Sequence, residues 1–165
     1  MRTSKNGLDL IKEFESLHDG DLKQIGLQPK MDPIGIWTEG YGHAMRDQKG
    51  NFIKGVANKQ LAYSRASIHT VAEADKSLLE DLVAFERIVF TKIKKELNQN
   101  QFDALVSYVY NTGGSSTLYT LINSGASKEA IMNWFTTTYI SADGVKLAGL
   151  VRRRKAEATL YFKPI

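Results

Sequence analysis

Thr70, followed three residues later by Glu73, forms a capping box. It opens the stretch VAEADKSLLEDLVAFERIVF, in which Leu78, Leu79, Leu82, Phe85 and Ile88 recur at helical spacing. A second run, LNQNQFDALVSYVYNTGG, repeats the scheme. Asn98 is its cap, Gln101 stands three residues on, Phe102, Leu105, Val106 and Val109 form its apolar side, and Gly113 is its stop. Shorter helices are expected at 116–123 and 128–137. A last one is expected from Gly149 to Tyr161, with Leu150, Val151 and Leu160 on its apolar side and Pro164 beyond its end. The chain after Gly55 is therefore expected to be helical throughout.

Those residues read differently. LDLIKEFESL, residues 8–17, predicts a short amphipathic helix with Leu10, Ile11, Phe14 and Leu17 on one side and Leu8 widening it. HDGDLKQIGLQPKMDP has the glycines, aspartates and prolines of a loop. IGIWTEGYGHA sets β-branched and aromatic residues between glycines, which predicts a strand and turn, and RDQKGNFIKG predicts another turn with a short strand. The fold class is α+β, a single domain over 1–165. A small N-terminal lobe with a short irregular β-sheet, about 15–65, is joined by the long helix to a larger helical lobe of 1–14 and 70–165. A cleft between such lobes is a usual place for a ligand.

Composition narrows the function classes. The chain has 165 residues, 42% hydrophobic and 24% charged, enough for one domain with a real core. With no cysteine, a disulfide framework and a thiolate zinc site are excluded. His18 and His69 lack companions at ligand spacing, so no metal is expected. No apolar stretch reaches signal-peptide or membrane-spanning length. The net charge of +4 favours polyanionic partners such as nucleic acid, anionic lipid or cell wall.

Two carboxylates stand out. On a helical wheel Glu15 falls between Leu8 and Ile11, whereas Glu13 falls between Asp9 and Leu17. Glu15 thus leans toward apolar surface, the setting that suits a general acid. The same position also suits a boundary glutamate paired with an arginine. Asp32 precedes Pro33, where an aspartate is ordinarily a turn former. A protonated and an ionised carboxyl together are what glycoside hydrolysis requires, and Thr38 adds a hydroxyl that could hold a water near Asp32. Trp134 and Phe135 read as core, and RRRK at 152–155 as a solvated helical face.

EFESL, DPIGIWTEGYGH, LNQNQFDALVSYVYNTG and GLVRRRKAEATLYF resemble, in that order, the motifs of phage-type lysozymes of the T4 and P22 kind, the muramidase endolysins of glycoside hydrolase family 24. The resemblance covers nearly the whole chain. It implies that Glu15 is the acid that protonates the glycosidic oxygen, Asp32 the catalytic aspartate, and Thr38 the residue that helps place the attacking water. It pairs His43 with Asp81 on the long helix, sets Arg152 opposite Glu15, and puts Tyr110, Thr117 and Asn133 along the saccharide cleft.

There are two departures from the family pattern. Glu15 and Asp32 are 17 residues apart, about twice the usual interval, with the extra residues in the 18–31 loop. The segment from Leu22 to Lys30 is expected to be a surface loop. Glu39 stands where an apolar residue is usual, and either reaches solvent or adds a third carboxylate to the site. Asp19 and Asp21 are rivals to Asp32 without its DPxGxWT context.

The expected activity is hydrolysis of the β-1,4 bond between N-acetylmuramic acid and N-acetylglucosamine in peptidoglycan, by a monomer with no cofactor, no nucleic acid and no membrane anchor. Such a protein would be made in the host cytoplasm without a signal peptide and act on the wall after release. Inversion at the anomeric carbon is what the resemblance favours. A lytic transglycosylase, which forms an anhydro product from the same bond, is the rival within enzymes. A basic helical nucleic-acid-binding domain, supported by the net charge and RRRK, is the rival outside them.

Overall fold

The computed structural model describes Met1–Ile165. Seven helices carry most of the chain: α1 (Lys5–Glu15), α2 (Lys59–Arg65), α3 (Val71–Lys92), α4 (Gln99–Thr112), α5 (Ser116–Ser124), α6 (Lys128–Thr137) and α7 (Ala148–Tyr161). Strands β1 (Lys30–Met31), β2 (Trp37–Glu39) and β3 (His43–Ala44) form an antiparallel sheet with β2 in the centre. Strands β4 (Ser141–Ala142) and β5 (Val145–Lys146) form a separate hairpin. No helix is long and apolar enough to cross a membrane. The chain divides into two compact units, one of Met1–Phe14 with Leu82–Ile165 and one of Glu15–Asp81.

The first unit is built on α4. Its Phe102 and Ala104–Val109 are buried on every side, and α7 packs along it. Asn98 and Gln101 cap it reciprocally, and Gly113 ends it in the left-handed conformation at φ 79°, as the sequence predicts. Ser115 and Ser127 cap α5 and α6. At the start of α1, the Asp103 carboxylate accepts from the Ser4 backbone N–H at 2.9 Å and from its hydroxyl. That bond begins the helix three residues before the apolar pattern does. Gly7 lets it approach α4, since a Cβ there would lie 2.8 Å from Asp103 Cβ. The helix stops at Glu15 because Ser16 turns left-handed at φ 59°, so Leu17 falls outside it.

α7 departs from the amphipathic reading. Leu150, Val151 and Leu160 are only half-buried, while Arg153 (3% exposed), Arg154 and Glu157 (both 0%) are inside. Glu157 pairs with Arg153 and Arg154, each at 3.2 Å, and accepts the Ser107 hydroxyl at 2.7 Å. Arg154 also donates to Asn111 at 2.6 Å and lies over the Tyr108 ring. The expected solvated face is thus a buried ion cluster, in which the carboxylate offsets what two desolvated guanidiniums would cost.

The second unit has its own small core of Trp37, Met45, Ile53 and Ala62 under Met31 and Tyr63. The Trp37 ring stands edge-on to Tyr63, and its N–H donates to the Gly55 carbonyl. The turn from β2 to β3 needs Gly40, at φ 59° with Ile68 3.0 Å from where a Cβ would sit. Thr70 and Glu73 form the capping box of α3.

The extra loop corrects the expectation for Leu22–Lys30. Leu22 to Gly26 are exposed, but Gln28 and Pro29 are buried and Lys30 is part of β1. Gly20 donates to the Gln28 carbonyl and Leu27 to that of His69. Replacing Leu22–Ile25 with two glycines is expected to leave the melting temperature within about 4 °C of the parent, because loop length enters stability only logarithmically. Deleting Gln28–Lys30 removes the strand opposite Thr38 and is expected to abolish cooperative melting. Calorimetry of the two variants checks both.

Candidate active site

Four side chains gather around β1 and β2. Glu15 closes α1 and is half-buried, while Glu13, two residues earlier, is exposed and 4.0 Å from Arg152. The left-handed Ser16 turns the chain sharply after Glu15, and His18 is then fixed by its backbone N–H, which donates to the Gly40 carbonyl at 2.8 Å.

Asp32 forms the turn between β1 and β2. Its Oδ1 accepts from the N–H groups of Ile34 at 3.0 Å and Ile36 at 2.8 Å. The turn-former reading is therefore correct for Oδ1, and Oδ2 takes no hydrogen bond from the protein. One carboxylate oxygen orients the group and the other is available to a ligand.

Thr38 lies in the central strand opposite Lys30 and is 4% exposed. Its hydroxyl donates to the Lys30 carbonyl at 2.9 Å, and His18 Nδ1 stands 2.7 Å from the same oxygen. Burial, followed by the Lys30 ammonium, lowers the pKa of His18, and Glu15 and Asp32 oppose this. Four titratable groups thus share one field. His18 carries no motif of its own, so sequence reasoning left it aside. Its approach to Thr38, 20 positions on, comes with the long-range bond of its N–H to the Gly40 carbonyl.

Glu39 does not reach solvent. It is 4% exposed, and its carboxylate accepts from the backbone N–H groups of Ser67 at 2.9 Å and Ile68 at 3.0 Å and from the Ser67 hydroxyl at 2.9 Å. It fastens β2 to the segment that enters α3. Its cross-strand neighbour is His43, whose Nδ1 is 2.8 Å from Asp81 Oδ2. The bond to Asp81 raises the His43 pKa above its ordinary value, against desolvation. A raised pKa means that the pair adds stability in full below the unfolded pKa and loses it as pH rises through the folded one. Asp81→Asn is expected to lower the His43 pKa and flatten this dependence. An NMR titration of parent and variant reads it, and equal pKa values in the two would contradict the assignment.

The remaining residues singled out from the sequence belong to the first unit. Tyr110 on α4 is half-buried with its ring 5.0 Å from Phe85, and Thr117 on α5 and Asn133 on α6 are exposed. Arg152 is exposed on α7, with its guanidinium over the Phe14 ring as well as near Glu13.

The chain matches the Phage lysozyme family over residues 21–157, a span that begins after Glu15. It is 33% identical to the endolysin of Acyrthosiphon pisum secondary endosymbiont phage 1, with 98% of each chain covered. It is 31% identical to the endolysin of Lactococcus phage c2 and spans 62% of that protein's length. Among solved structures it resembles the muramidase domain of SpmX from Asticaccaulis excentricus, at 32% identity and a TM-score of 0.71, with 99% of each chain covered.

Proposed function

The chain belongs to the phage lysozyme family of peptidoglycan-hydrolysing muramidases, and we propose that Glu15, Asp32 and Thr38 carry its reaction. The observation that supports this most is the division of labour at Asp32, where Oδ1 is held by two amides and Oδ2 is left for a water. In this reading Glu15 gives its proton to the glycosidic oxygen as that bond breaks. A water attacks the anomeric carbon, and Asp32 takes the water's proton or stabilises the oxocarbenium-like transition state. Thr38 holds the water. Tyr110, Thr117 and Asn133 are proposed to contact the saccharide, and His43, Asp81 and Arg152 to be supporting residues.

Residues 1–165 form one lysozyme domain in this proposal, supported by the end-to-end match with the endolysin of Acyrthosiphon pisum secondary endosymbiont phage 1. The enzyme acts on the bacterial cell wall. Synthesis in the host cytoplasm, release to the wall, action as a monomer without a cofactor, and the absence of a nucleic-acid partner complete the proposal. The nucleic-acid alternative loses its main support because Arg153 and Arg154 are buried, leaving only Arg152 and Lys155 of RRRK exposed.

Clearing of purified peptidoglycan tests the assignment. The parent is expected to clear it and Asp32→Asn to be slowed severely. Parent-like clearing by Asp32→Asn would move the role to Asp19 or Asp21.

A further inference from the structure

We propose that His18 is a positioning residue that fixes the Thr38 hydroxyl as a hydrogen-bond acceptor toward the attacking water. This deepens the muramidase reading and rests on it.

Thr38 Oγ1 and the Lys30 carbonyl oxygen are 2.9 Å apart. A carbonyl only accepts, so the single hydroxyl proton must lie between these two oxygens. Toward His18 Nδ1, 2.7 Å away, Oγ1 can then only accept. Nδ1 therefore carries a hydrogen, and in the neutral ring Nε2 is the bare nitrogen. Thr38 has spent its proton on Lys30 and one lone pair on His18, and one lone pair remains. A group of this kind accepts from a water O–H and cannot donate to it. The water is thereby held with a proton toward Thr38 and its own lone pair free for the anomeric carbon, while its second proton can go to Asp32 Oδ2. The step balances: the new C–O bond takes the water's electron pair, the glycosidic C–O bond breaks, Glu15 supplies the leaving oxygen's proton and Asp32 receives the water's.

Without the ring, Oγ1 is free to rotate its proton from Lys30 toward the water, which would then meet a donor where an acceptor is needed. Burial and the Lys30 ammonium favour the neutral form of the ring, against the carboxylates of Glu15 and Asp32.

Three measurements test the proposal on the full chain. Nitrogen-15 NMR of the parent at a pH where His18 is neutral is expected to show a protonated Nδ1 and a bare Nε2, the reverse of the tautomer favoured by free histidine. The opposite tautomer would overturn it. His18→Leu is expected to lose on the order of 10–100-fold in kcat with KM little changed, as for a mispositioned reactant. His18→Asn, whose amide N–H can stand where Nδ1–H stood, is expected to recover most of that loss. Parent-like kcat in His18→Leu, or no recovery in His18→Asn, would overturn the role. If His18→Leu fails to fold, the NMR result decides. Parent enzyme that yields no hydrated muropeptide would instead defeat the muramidase reading itself.

Discussion

Glu15→Gln is expected to slow peptidoglycan cleavage by roughly 10²–10⁴, the contribution of general acid catalysis alone, and to leave the protein folded. Gln keeps the size and most of the shape of Glu at the half-buried end of α1 but has no proton to deliver to a leaving oxygen. Glu13→Gln is the matched control, since Glu13 is exposed and meets only Arg152 at 4.0 Å. The expected result is a dead Glu15 variant and a live Glu13 variant, both melting near the parent. A Glu13 variant that fails while the Glu15 variant works would transfer the role of acid.

The largest stability effect is expected at Glu157. Glu157→Gln removes the charge that pairs both buried guanidiniums of Arg153 and Arg154. Stranding buried charges in this way costs about 3–5 kcal/mol. For a protein of this size that lowers the melting temperature by roughly 6–20 °C. The midpoint of urea denaturation should fall with the slope unchanged, which separates lost stability from a changed unfolded state. A melting temperature within about 2 °C of the parent would mean that the cluster contributes nothing net. Because the cluster packs α7 against α4, lost stability rather than lost chemistry is the expected cause of any fall in activity at raised temperature.

Legibility in the sequence followed the range over which each feature is decided. The caps of α3 and α4 are local, with donor and acceptor three residues apart, and Thr70, Glu73, Asn98, Gln101 and Gly113 stand in the roles their spacing predicts. The β4–β5 hairpin is also local, and it departs from the expectation of helix throughout the chain after Gly55. Asp143 and Gly144, at φ 50° and 76°, form the two-residue turn that the dipeptide Asp-Gly favours between short strands. RRRK by itself predicts a solvent-facing Arg153 and Arg154, because charge is ordinarily solvated. The clue was Glu157, three and four residues on, the spacing of a pair on one helix face.

The site was legible only in part. Glu15 and Asp32 could be read as a candidate acid and a turn carboxylate, and the ordered motifs raised them to a pair. The contact of His18 with Thr38 and the burial of Glu39 against Ser67 and Ile68 depend on long-range bonds, from the His18 N–H to Gly40 and from the segment that enters α3 to Glu39. No periodicity in the chain encodes either of these. The shorter exposed tip of the 18–31 loop has the same origin, since Lys30 is drawn into β1 by pairing with Thr38.

The central claim is that the chain hydrolyses the muramic acid–glucosamine bond with water placed by Asp32 and Thr38. Mass spectrometry of the muropeptides released from purified peptidoglycan tests it most directly. Hydrolysis adds one water to each cleaved bond, so the account predicts products ending in reducing N-acetylmuramic acid from the parent enzyme and almost none from Glu15→Gln. Products ending in 1,6-anhydro-muramic acid, lighter by that water, would contradict it and make the enzyme a lytic transglycosylase.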